Sequence, residues 1–60
     1  MMTLETYLKF VERLKRLNSL SDAEAERYAV LIGDTPISDG HGKVIVREDD
    51  GREIARVKYA

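Results

Sequence analysis

The sequence predicts an α+β fold, a helical hairpin followed by a C-terminal two-stranded antiparallel β-hairpin, with the chain dimerising. Three observations carry this. Apolar residues recur at three- and four-residue steps from Leu4 to Leu17, as on one face of a helix. A second helical pattern opens on Ser21-Asp22-Ala23-Glu24 and stops at Gly33. Two runs rich in β-branched residues then flank Asp49-Asp50-Gly51.

The first helix is placed at residues 4–18, with Leu4, Tyr7, Leu8, Val11, Leu14 and Leu17 as its buried stripe. Phe10 lies off that stripe and widens it. Thr3 supplies the N-cap, Glu5 suits the positive pole of the helix dipole, and Lys15 and Arg16 suit the negative one. Asn18 and Ser19 end the element. The second helix is placed at residues 21–32, where Ser21 and Glu24 form a capping box and each satisfies one backbone N–H. Leu20 precedes the cap and can staple onto Ala25. Ala25, Tyr28, Ala29 and Ile32 form the buried stripe, broadened by Val30 and Leu31. Gly33 stops the helix and Pro36 cannot continue one. Helices joined this closely must double back as a hairpin.

Residues 33–42 are loop chemistry throughout, and Ile37 is the expected plug tying that loop to the core. The β-hairpin occupies residues 43–59, and two registers compete for it. A two-residue turn at Asp50-Gly51 pairs Val46 with Ala55 and Val44 with Val57, gathering Val44, Val46, Ala55, Val57 and Tyr59 on one face. A three-residue turn pairs Glu48 with Arg52 and Arg47 with Glu53, which suits charge but scatters the apolar residues. A continuous buried face is worth several kcal/mol at roughly 25 cal/mol per Å², whereas exposed ion pairs give under about 1 kcal/mol each. The two-residue turn is therefore expected.

Sixty residues allow one domain, spanning 1–60, and a chain this short has a thin core. It carries 19 Leu, Ile, Val, Phe and Tyr side chains, more than one thin layer hides. That predicts a homodimer, through the wide face of the first helix with Phe10 or through a shared four-stranded sheet. No cysteine is present, so disulfides and zinc–thiolate sites are excluded. No apolar run approaches the roughly 20 residues that span a bilayer, and the N-terminus lacks a leader's apolar core. A cytoplasmic location with no membrane partner is the expectation. The chain has no Gln, a single Asn and 35% charged residues, a tendency of thermophile proteins that in 60 positions weighs equally with chance.

The net charge of -1 gives no bulk attraction to nucleic acid, yet its distribution is uneven. Residues 1–20 and 43–60 are net basic, and residues 21–42 are net acidic. In the expected register the outer face of the hairpin carries Lys43, Arg47, Arg56 and Lys58 around Ile45 and Ile54. Aliphatic anchors inside a cationic rim suit an acidic protein partner, so these six residues are the candidate partner-binding site. Lys9, Arg13 and Arg16 form a basic stripe on the first helix, a candidate anion-binding surface that could serve nucleic acid together with the hairpin face.

The element order is similar to the helix–helix–wing of winged helix-turn-helix domains. However, the second helix here begins Ser21-Asp22-Ala23-Glu24-Ala25-Glu26, which repels phosphate, and the third helix is missing. The chain is not assigned to that family. His41 is the only histidine, and with Asp34 and Asp39 it gives no spacing that fixes a metal or an acid/base pair. Asp39-Gly40 and His41-Gly42 read as turns. No catalytic residues, metal, cofactor or small-molecule substrate are expected, and the chain looks too small for a ligand pocket. The sequence thus predicts a binding module rather than an enzyme: a small adaptor, regulator or inhibitor. Nucleic-acid binding through the two basic surfaces is the alternative.

Overall fold

The computed structural model describes residues 3–59. Helix α1 runs Leu4–Asn18, α2 runs Asp22–Ile32, and strands β1 (Lys43–Arg47) and β2 (Glu53–Lys58) form an antiparallel ribbon. Met1, Met2 and Ala60, part of the expected 1–60 domain, lie outside the described residues. Among the described residues, no helix is long and apolar enough to cross a membrane.

Local chemistry sets the helix ends. The Thr3 hydroxyl oxygen accepts the Thr6 N–H at 3.1 Å, and the Ser21 hydroxyl oxygen accepts that of Glu24 at 3.2 Å. The capping box is only half formed, because the Glu24 carboxylate takes the Ser21 hydroxyl at 3.1 Å in place of a backbone N–H. Helix α1 closes on Ser19 in the left-handed region (φ 54°), and α2 closes on Gly33 (φ 64°). Between the helices Lys15 pairs with Asp22 as well as with Glu12.

Both helices pack on one face of the ribbon, α1 against β2 and α2 against β1. Phe10, Val11, Leu14, Ala25, Ala29, Ile32, Val44, Val46 and Val57 form the core. Its centre on α1 is rotated from the expected stripe toward Phe10. Phe10 is 7% exposed because the Tyr59 ring meets it edge-to-face, with centroids 5.3 Å apart. Leu4 and Leu8, assigned to the buried stripe, are 73% and 53% exposed. They sit at the N-terminal end and on the flank that this rotation turns outward.

The hairpin resolves the competition between registers by using both. Val46 faces Ala55 and Val44 faces Val57, as the apolar pattern demands, while Arg47 faces Glu53, as charge demands. A β-bulge between Val46 and Arg47 joins the two registers, leaving Ile54 without a cross-strand partner. The turn is the three-residue form: the Glu48 N–H donates to the Arg52 carbonyl at 2.9 Å, and the Gly51 N–H to the Glu48 carbonyl at 2.8 Å. Gly51 sits at φ 88°, where a side chain is strained.

The loop at 33–42 is tied down by backbone, not by Ile37, whose side chain is 50% exposed. The Ile45 N–H donates to the Ile37 carbonyl and the Asp39 N–H to the Lys43 carbonyl, both at 2.9 Å. Residues 37–39 thus lie along the free edge of β1, with a bridge between Ser38 and Val44.

Candidate functional site

The helices cover one face of the ribbon, and the other carries the basic hairpin residues. Lys43, Ile45 and Arg47 alternate on β1 with the inward Val44 and Val46. Across from them stand Lys58, Arg56 and Glu53. Five of the six predicted partner-binding residues are thereby brought onto one surface. Ile54 is the exception. The bulge turns it to the same side as Ala55, where both pack against the core, so it is not an outward anchor.

The charges on this face are not equivalent. Arg56 grips Glu53 through two hydrogen bonds, at 3.0 and 3.2 Å, and approaches the Asp39 carboxylate at 3.9 Å. Glu53, and more weakly Asp39, hold the guanidinium above its already high range. Asp39 lies along the far edge of β1, so Arg56 crosses the strand over its pairing partner Ile45, which is half-buried. The centre of the predicted hydrophobic anchor is therefore roofed by a neutralised arginine.

Asp39 is a structural carboxylate. Its side chain is 4% exposed, and one oxygen accepts the His41 N–H at 2.7 Å and the Lys43 N–H at 3.1 Å. The His41 N–H is the main cause holding its pKa below the ordinary carboxylate range; burial opposes this and the Lys43 N–H adds to it. Among the described residues, no three His, Cys, Asp or Glu side chains gather as a metal site. The Asp39-Gly40-His41-Gly42 run reads correctly as turn chemistry, but nothing in it signals the reach of Asp39 to Arg56.

The uncommitted charges are Lys43, Lys58 and Arg47. Lys43 and Lys58 are direct cross-strand partners, and neither they nor Arg47 has an acidic partner among the described residues. Like charges directly opposite on a ribbon repel at close range. A ribbon that sets two lysines opposite each other gains from an anion placed near both.

The basic stripe of α1 belongs to the helical layer, so the structure does not merge it with the hairpin face. Lys9 pairs with Glu5 at 3.2 Å, Arg16 is exposed, and Arg13 lies over the Tyr59 ring, 5.5 Å from its centroid. Sequence reading missed this last contact and the cleft beside it, because Arg13 and Tyr59 stand at opposite ends of the chain. Comparison with family models, curated proteins and solved structures gives no match.

Proposed function

We propose that this chain is a small cytoplasmic protein-binding module, an adaptor, regulator or inhibitor that docks on an acidic partner and performs no catalysis. The observation that supports this reading is the Lys43–Lys58 pair, two basic residues directly opposite each other on the uncovered face of the ribbon with no acidic partner among the described residues. Arg47 extends the cationic surface toward the turn. Arg56 and Ile45 form its floor, and Ile54 supports it from the core side. An acidic partner relieves the Lys43–Lys58 repulsion on binding, which gives specificity and a fast association rate.

The test is retention of partners from a lysate of the source by the tagged chain and by a Lys43→Glu, Lys58→Glu variant, with and without nuclease. A nuclease-resistant protein held in stoichiometric amount by the parent and lost by the variant supports the reading. Retention that disappears with nuclease replaces it with nucleic-acid binding.

A homodimer also belongs to this proposal, with a changed seam. Phe10 is already covered by Tyr59, and both ribbon edges are partly occupied, β1 by residues 37–39 and β2 at Lys58 by the Asn18 amide. Leu4, Leu8, Val30 and Ile37 are the large apolar side chains left exposed among the described residues, and the first three, all on the helices, are the seam proposed for a second copy. Sedimentation of the parent against Leu8→Glu tests this: a parent that stays monomeric at high concentration removes the dimer.

A further inference from the structure

A cleft of about 360 Å³ opens where α1, the turn after α2 and the end of β2 meet, and neither the docking face nor the sequence pattern accounts for it. Its lining includes Lys9, Phe10, Arg13, Asp34, Pro36 and Tyr59. We infer that this cleft binds a small aromatic carboxylate, with the carboxylate on Arg13 and the ring against Tyr59 and Pro36.

Arg13 carries the argument. It has no carboxylate partner among the described residues, yet it is not a loose side chain, since its guanidinium lies over the Tyr59 ring. That ring is itself packed against Phe10 in a T-shaped pair, at an interplanar angle of 88°. A guanidinium held in place presents a planar fork that matches a carboxylate, and little further motion is lost when the anion arrives. The other three α1 cations are committed or remote: Lys9 is shared with Glu5, Lys15 is held by Glu12 and Asp22, and Arg16 lies outside this lining.

The remainder of the lining selects the body of the ligand. Phe10, Pro36 and Tyr59 give apolar walls, and the volume lies at the small end of the range of ligand pockets, about 300–1,000 Å³. One uncommitted guanidinium beside apolar walls is too little cationic charge for a polyphosphate or a nucleotide and suits a single carboxylate carried on a flat apolar group. Neither Lys43 nor Lys58 is in the lining, so the two sites are separable by mutation.

Amide chemical-shift titration of the full chain with benzoate tests the inference, with benzyl alcohol and inorganic phosphate in parallel. The expected result is saturable shifts at Thr6, Gly33, Asp34 and Tyr59 in the millimolar range, with both comparison probes at least about tenfold weaker. Arg13→Gln should lower benzoate affinity about tenfold, while Lys43→Glu leaves it unchanged. Should Arg13→Gln fail to fold, Arg13→Lys, which keeps the charge and loses the fork, is expected to weaken binding in the same direction. Non-saturating shifts, phosphate binding as tight as benzoate, or unchanged affinity in the folded Arg13 variant would each overturn the assignment. None of these outcomes bears on the hairpin face.

Discussion

Asn18 joins the last turn of α1 to the last pairing of the hairpin by treating Lys58 as a strand neighbour. Its side-chain oxygen accepts the Lys58 N–H at 2.7 Å and its side-chain nitrogen donates to the Lys58 carbonyl at 2.9 Å. The same nitrogen also donates to the Leu14 carbonyl at 3.1 Å. The amide thus satisfies an edge that β2 would otherwise leave open, and it fixes Lys58 opposite Lys43. Asn18→Ala should cost about 1–3 kcal/mol in chemical denaturation, from the loss of this paired amide and the edge groups it leaves unmet. Asn18→Asp should be worse than Asn18→Ala, because it sets a carboxylate against the Lys58 carbonyl. Equal stability of Asn18→Ala and the parent contradicts the clamp.

Leu14 is fully buried at the junction of both helices and the ribbon. Leu14→Ala is expected to lose about 2–5 kcal/mol through the deleted contacts and the cavity left behind. A domain of this length has about 3–9 kcal/mol in total at the usual stability per residue. Thermal unfolding followed by circular dichroism should therefore show the variant's midpoint lowered by about 10 °C or more. A cooperative transition close to the parent's contradicts this core assignment.

The bulge makes two isoleucines on one ribbon unequal. Ile54 is turned to the core side, and Ile45 lies on the outer face beneath Arg56. Ile54→Ala should cost about 2 kcal/mol in urea unfolding and Ile45→Ala distinctly less. The reverse order means that the ribbon keeps the unbroken two-residue-turn register.

Acid sensitivity follows from Asp39. Its folded pKa lies below the ordinary carboxylate range, so the unfolded chain takes up the proton first as pH falls. The stability this gives is complete above the unfolded pKa and is lost as pH drops through the folded one. Urea midpoints measured downward from about pH 5 should fall for the parent and fall less steeply for Asp39→Asn, which cannot titrate. Parallel slopes contradict the role given to the His41 and Lys43 N–H groups.

Much of the fold is legible in the sequence because its signals are local. Thr3 and Ser21 cap the helices they precede, and Gly33 and Pro36 stop the second one, all within a few residues. The α-α-β-β order follows from those signs. The hairpin register was only half legible, since a rule that weighs apolar burial against ion pairing returns one register, whereas one extra residue at Ile54 allows both. The contacts that shape the candidate sites are distant in sequence. Asn18 reaches Lys58 and Arg13 reaches Tyr59, and no periodicity encodes either meeting. Helical spacing places Leu8 on the apolar stripe of α1, but spacing alone does not say which flank Tyr59 will cover.

The central claim is that Lys43 and Lys58 form the contact surface for an acidic protein. Its most direct test is the affinity of the retained, nuclease-resistant partner for three forms: the parent, the Lys43→Glu, Lys58→Glu variant, and a Lys9→Glu, Arg16→Glu variant of the helical stripe. The account predicts that the hairpin variant loses binding by tenfold or more, as truncating or reversing close interfacial charges costs about 2 kcal/mol upward, and that the stripe variant keeps it. Binding retained by the hairpin variant and lost by the stripe variant contradicts the account and moves the docking surface to α1.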